Sequence, residues 1–213
     1  MIFEFWKDLP EKSCVHPKDM DVLNEHKGVF ELNVPPGHIN GQLKTSPVVA
    51  LFLNPGFEEE DRDSFENEKL RELLFKQIQG ESDFPLWFTR WKKWFLPRVK
   101  IGGMTEEQIA INVSILNVCS YASKDAKLLT PAIIEKLPSS QVAINYLHKV
   151  LIPQAQRGER FIVVCRAAWA WKIDKLIECE NIRFVKNPRG GYFGPEIRKK
   201  IETWLKINQS KQA

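Results

Sequence analysis

Val48-Val49-Ala50-Leu51-Phe52-Leu53 is an unbroken apolar run that stops at Asn54-Pro55-Gly56-Phe57. Such a run fits a strand buried on both faces, as in a parallel sheet, because a strand with one wet face would alternate. Asn, Pro and Gly then end it sharply. Residues 161–165 (Phe-Ile-Val-Val-Cys) have the same texture and read as another buried strand, residues 112–117 (Asn-Val-Ser-Ile-Leu-Asn) read as a further strand, and 182–185 (Ile-Arg-Phe-Val) as a short one. Between these runs the spacing is helical. Residues 64–79 carry Leu70, Leu73, Leu74 and Ile78 before Gly80, and residues 84–95 carry Trp87, Trp91, Trp94 and Phe95. Residues 139–157 carry Val142, Ile144, Leu147, Val150 and Leu151, with Ser139 or Ser140 as N-cap. Residues 167–177 and a basic stretch, 195–207, read as two more helices.

Strands separated by helices imply right-handed crossovers, with helices on both faces of one sheet. The expected fold class is α/β: three layers, α/β/α, around a central, mainly parallel four-stranded sheet. The chain is expected to be a single domain over 1–213, since no linker or repeat divides it. Residues 1–45, with a short helix near the start and Pro35-Pro36-Gly37, are expected to form a loop-rich extension packed on a core of 46–207. A tail, 208–213, follows.

Composition is that of an ordinary globular protein, 43% hydrophobic and 27% charged, with a net charge of +4. The charge is unevenly spread. Arg90, Lys92, Lys93, Arg98 and Lys100 form a run without acids, and a second basic stretch starts at Arg183. Glu58-Glu59-Glu60-Asp61, followed by Asp63, is the acidic counterweight. This distribution is compatible with a polyanionic partner, and solvated helix faces explain it equally well. The seven Trp are more than such a chain needs; most are expected in the core or its rim, and a few are available to stack on bases. The four cysteines lack metal-ligand spacing, so neither a metal nor a cofactor is expected. No apolar run approaches the roughly 20 residues of a membrane span. A start as short and charged as Met1-Ile-Phe-Glu-Phe-Trp-Lys-Asp is not a signal peptide. A cytoplasmic monomer is the expectation.

Ligands of open parallel sheets bind at the carboxyl ends of the strands. Those ends are Asn54-Pro55-Gly56, Asn117, Arg166 and Asn187-Pro188. A strand-end Asn is usually a turn former, so each alone says little. Asn54, Asn117 and Asn187 around one crevice make a stronger candidate site.

At these residues the chain resembles the uracil-DNA glycosylase superfamily. Phe52-Leu53-Asn54-Pro55-Gly56 is similar to the NPG form of that family's water-binding loop, found in its mismatch-specific and single-strand-selective branches. Ser114-Ile115-Leu116-Asn117 is similar to the strand whose Asn reads the base. Ile162 to Cys165 with Ala167-Ala168-Trp169-Ala170 resembles the segment before the second motif, and Asn187-Pro188-Arg189-Gly190 resembles that motif. The likeness covers roughly residues 48–205, with the motifs in the family's order.

The resemblance implies a monofunctional DNA N-glycosylase that flips a damaged, mismatched or modified base and hydrolyses its N-glycosidic bond. Asn54 would orient the attacking water and Asn187 would stabilise the leaving base. Pro55 and Gly56 would shape the turn, Phe57 would stack on the base, and Asn117 would read its edge. Arg166, Pro188, Arg189, Gly190, Gly191 and Tyr192 would line the substrate. DNA, single- or double-stranded, is the implied partner. The chain departs from the classical pattern in having Asn rather than Asp at 54, Asn rather than His at 187, and Arg189-Gly190-Gly191-Tyr192 in place of the usual wedge. These departures suggest an atypical member. They also support an alternative, a catalytically weak or inactive module that binds nucleic acid or protein. A third reading, a metal-dependent nuclease using the acidic run, ranks last, because consecutive acids on one loop cannot all converge. Of the histidines, none lies in a matched motif. His38 is the one that could fold over the crevice.

Overall fold

In the computed structural model, residues 1–10, 13–58, 66–81 and 90–210 are described. The acids at 59–63, the aromatic residues at 84–89 and residues 211–213 lie outside the described residues. The chain runs α1 (Ile2–Lys7), α2 (Met20–Glu25), β1 (Ile39–Asn40), β2 (Val48–Phe52) and α3 (Glu68–Ile78). A π-helical turn (Trp91–Phe95) leads into α4 (Leu96–Val99), followed by α5 (Glu106–Asn112), β3 (Val113–Asn117) and α6 (Pro131–Lys136). Next, α7 (Pro138–Tyr146) continues through a second π-helical turn (Leu147–Leu151) into α8 (Ile152–Gln156). The chain closes with β4 (Phe161–Val164), β5 (Ile182–Phe184) and α9 (Pro195–Ser210).

The fold is α/β. Its sheet has five strands in the order β1-β3-β2-β4-β5. The four expected strand segments supply the strands β3, β2, β4 and β5, which pair in parallel. The expected four-stranded sheet is corrected to a mixed one of five strands, because β1 pairs antiparallel with β3 through Ile39↔Leu116 and Asn40↔Ile115. Two residues of strand inside a Pro/Gly-rich stretch carry no periodic signal.

Every residue of β2, β3 and β4 is buried, and alternate residues enter two different cores. Val49, Leu51, Leu116, Ile162 and Val164 face one layer of helices, with Ile2, Trp6, Ile133, Leu147 and Leu151. Val48, Ala50, Phe52, Ile115 and Val163 face the other, with Leu70, Trp91, Phe95, Ile197, Ile201 and Leu205. Each fully buried Leu, Ile or Phe contributes about 1.5–3 kcal/mol, so both layers hold the sheet. Ile2, Phe3, Phe5, Trp6 and Leu23 belong to the first core, so the N-terminal residues form part of the core as well as lying upon it.

Helix boundaries follow local chemistry. The Asn67 side chain accepts from the Leu70 amide at 3.0 Å and starts α3. Thr105 and Gln108 form a reciprocal capping box at α5. Two expectations are corrected. Helix α7 starts at Pro138, one residue before the expected serine cap, because proline fits the first helical position and leaves the Ser139 amide free to bond Asp19. Residues 167–177 form turns and a 3₁₀ turn (Lys175–Ile177) instead of an α-helix. There Ala167 and Lys172 have φ of 52° and 54°, left-handed values that break a right-handed helix. Among the described residues no helix is long and apolar enough to cross a membrane.

Candidate functional site

The loops leaving the parallel strands extend the sheet beyond its C-terminal edge. The segment after β3 lies beside the one after β2: Val118 N donates to Phe52 O (3.1 Å), Cys119 N to Leu53 O (2.8 Å) and Ser123 N to Pro55 O (3.2 Å). Phe57 N returns a bond to Ser123 O (3.1 Å). On its other flank runs a strap of residues 31–38. Glu31 N donates to Ala122 O (2.9 Å), Gly37 N to Ser120 O (2.8 Å), and Asn117 N to His38 O (2.9 Å).

Asn54 sits in this arrangement at 8% exposure. Its Nδ2 donates to Pro55 O at 2.9 Å and to Ser123 Oγ at 2.8 Å, with Tyr121 O at 3.5 Å. Two of those acceptors are backbone carbonyls, which cannot donate, so the amide nitrogen is held on their side. The carbonyl Oδ1 has no hydrogen-bond partner among the described residues. Pro55 packs against Gly37, where an added Cβ would approach Pro55 Cγ to 2.9 Å. Arg90 donates to Gly56 O. Phe57 is buried in the second core at 5% exposure, with Lys124 Nζ 5.9 Å from its ring centroid.

Asn117 is wholly buried. Its Nδ2 donates to Gly37 O at 2.6 Å and its Oδ1 is buried without a partner among the described residues. The strap thus covers the residue expected to read a base. His38, next in the strap, is also wholly buried. Its Nδ1 lies 2.6 Å from Ser120 Oγ, its Nε2 has no partner among the described residues, and burial pushes its pKa down to about 3. The ring is therefore neutral. A small cavity of about 20 Å³ lies between Pro36, Gly37, Pro55, Gly56, Arg90 and Phe95. That is room for a water and much less than a base requires.

The third motif lies across β4. Asn187 is exposed, and its Oδ1 accepts from Arg189 N at 3.2 Å in a local turn. The Arg166 guanidinium, at the end of β4, donates to Pro188 O at 3.1 Å and to Arg189 O. Arg98 donates to Gly190 O (3.0 Å) and Trp94 O (2.7 Å). Its guanidinium carbon stands 3.9 Å from the Trp94 ring centroid and 4.8 Å from that of Tyr192. Burial lowers the Arg98 pKa from its ordinary value, and guanidinium remains charged at neutral pH. Gly191 has φ +66° and leaves no room for a side chain: a Cβ there would meet Phe52 Cε1 at 2.8 Å. Tyr192 (46%) and Trp169 (48%) are exposed aromatics on the loops after β5 and β4.

The expected residues thus fall into neighbouring groups at one sheet edge. Asn54, Pro55, Gly56 and Phe57 are tied to Ser123. Asn117 is tied to Gly37 and His38. Arg166, Pro188, Arg189, Gly190 and Tyr192 are tied together with Arg98. Direct hydrogen bonds among Asn54, Asn117 and Asn187 are absent among the described residues. Sequence reasoning missed Ser123, and it placed Arg98 only within a basic run. It also missed a buried tie behind the site, where Tyr121 Oη donates to Asp19 Oδ2 at 2.6 Å and Ser139 N donates to Asp19 Oδ1 at 2.9 Å. Burial raises the Asp19 carboxyl above its ordinary value, opposed by the Tyr121 and Ser139 bonds. None of these residues lies in a recognisable motif, and their partners are remote in sequence. Among the described residues, no group of three or more His, Cys, Asp or Glu is placed to hold a metal.

Compared with models of known families, with curated proteins and with solved structures, the chain matches none.

Proposed function

We propose that this protein is a DNA glycosylase-like hydrolase whose water-orienting residue is Asn54, on a fold of the uracil-DNA glycosylase type. The observation that carries the reading is the Asn54 amide. It sits just beyond the C-terminal end of β2, a central parallel strand, with its nitrogen held by acceptors and its carbonyl oxygen without a partner among the described residues. An acceptor held in this way suits a water O–H, and fixing that water lowers the entropic part of the barrier to attack on an anomeric carbon. The loop from Asn187 to Tyr192 supports the reading from the far side of β4. It is held to Arg166 and Arg98 and carries Arg189 and the exposed Tyr192, groups suited to phosphates and bases.

The bond broken is C1′–N. Its electron pair leaves with the base, and water supplies the hydroxyl to the sugar. A proton is lost from that water, and the base or solvent takes it. No carboxylate stands at position 54 to accept it, so orientation and leaving-base stabilisation carry the catalysis.

A second reading is a binding module on the same fold without catalysis. The covered Asn117, with its amide donor already on Gly37 O, favours it. One experiment separates the two. Wild-type protein and Asn54→Ala are incubated with oligonucleotides carrying uracil, mismatched thymine, deaminated purines or hypermodified pyrimidines, and alkali-labile sites and DNA binding are measured. Base release lost in Asn54→Ala with binding retained supports the enzyme. Salt-sensitive binding without an abasic product on any substrate supports the module. Unchanged cleavage by Asn54→Ala removes Asn54 from the mechanism.

A further inference from the structure

We infer that Ser123 is the positioning residue of this site, holding the Asn54 amide so that Oδ1, and never Nδ2, is the atom offered to a ligand. The catalytic meaning of that orientation rests on the glycosylase reading; the orientation itself does not.

Ser123 is 2% exposed and bonded to the Asn54–Phe57 loop at three points. Its Oγ accepts from Asn54 Nδ2 (2.8 Å), its amide donates to Pro55 O (3.2 Å), and its carbonyl accepts from Phe57 N (3.1 Å). A hydroxyl accepts or donates as its surroundings require, whereas the Pro55 and Tyr121 carbonyls only accept. With Nδ2 drawn to both carbonyls, Ser123 is obliged to act as acceptor too. Turning the amide over would set Oδ1 against those carbonyls. The support behind Ser123 is firm. Two residues earlier, Tyr121 is tied by its hydroxyl to Asp19 (2.6 Å), which also accepts from the Ser139 amide at the start of α7 (2.9 Å).

The experiment uses the ¹⁵N-labelled protein and reads the Asn54 side-chain amide. Ser123→Ala removes the acceptor. Ser123→Cys keeps the volume but is a weak acceptor, and serves if the alanine variant does not fold. Ser123→Thr retains the hydroxyl. Hydrogen exchange at Asn54 Nδ2 is expected to rise about fivefold or more in the alanine and cysteine variants, as loss of one ordinary hydrogen bond implies, and to return toward wild type with threonine. Base release by the same variants is expected to lose kcat while KM holds, because orientation acts on the chemical step. Exchange that is unchanged in Ser123→Ala and Ser123→Cys overturns the inference whatever the activity. Altered exchange with wild-type kcat overturns the catalytic role of the orientation. Wild-type protein that releases no base from any oligonucleotide overturns the glycosylase reading alone, and the exchange result then still decides whether Ser123 orients Asn54.

Discussion

Replacing Asn54 by Asp introduces a carboxylate into surroundings shaped for an amide. Asn54 Nδ2 donates to Pro55 O at 2.9 Å and to Ser123 Oγ at 2.8 Å, with Tyr121 O at 3.5 Å. In Asn54→Asp an oxygen takes the place of that nitrogen. Ser123 can rotate its hydroxyl and donate, but the two carbonyls cannot. The ionised variant therefore leaves Pro55 O facing a negative oxygen, a loss of roughly 1–3 kcal/mol on the scale of an unpaired buried polar group. Protonating the carboxyl restores one donor, so the folded-state pKa of the introduced carboxyl should stand above the roughly 3.9 of an ordinary Asp. A group whose folded pKa is raised contributes stability that is complete below the unfolded pKa and is lost as pH rises through the folded pKa. The deficit of Asn54→Asp relative to wild type should therefore be larger at pH 8 than at pH 4. Urea unfolding of both proteins at the two pH values measures it. A variant as stable as wild type at pH 8, or one whose deficit grows on acidification, would refute the acceptor-lined pocket. Under the proposed glycosylase reading, Asn54→Asp is for the same reason not expected to raise the rate of base release.

Gly191→Ala combines a left-handed backbone (φ +66°) with a Cβ 2.8 Å from Phe52 Cε1. It should cost about 2–4 kcal/mol, read as a lower urea midpoint, and a loss under roughly 0.5 kcal/mol would remove the close approach. Under the proposed nucleic-acid-binding readings, Arg98→Ala should weaken DNA binding by freeing the 187–192 loop, whereas Arg98→Lys should rescue it only in part, since lysine cannot both stack on the Trp94 and Tyr192 rings and bond Gly190 O and Trp94 O. Binding measured against salt checks this. His38, neutral and buried with a pKa of about 3, contributes stability that is present above its unfolded pKa of roughly 6.5 and is lost as pH falls toward 3. Acid unfolding of wild type should therefore be steeper over that window than that of His38→Gln; equal slopes would contradict the burial.

Strands β2, β3 and β4 were legible because every residue in them is buried, which the sequence writes locally as mostly apolar segments, whereas β5 is buried at Ile182 and only partly so at Arg183 and Phe184. Capping chemistry was legible for the same local reason, at Thr105 and Gln108 for example. The segment 167–177 was misread because Ala167-Ala168-Trp169-Ala170 has good helix formers, while the left-handed residues Ala167 and Lys172 are imposed by contacts beyond it. That segment brings Trp171 Nε1 to Phe52 O at 3.1 Å, a partner 119 residues earlier.

By itself, then, the sequence determined the α/β class, the positions of the main strands and the placing of Asn54, Asn117 and Asn187 at or just beyond strand ends. Only the tertiary structure decided what each asparagine does there. Asn54 meets Ser123, 69 residues away, and its carbonyl oxygen has no partner among the described residues. Asn117 meets Gly37, 80 residues away, and is covered. Asn187 bonds its own turn. An amide side chain both donates and accepts, so its role follows from the partners that long-range packing supplies. Those partners lie far beyond any local pattern.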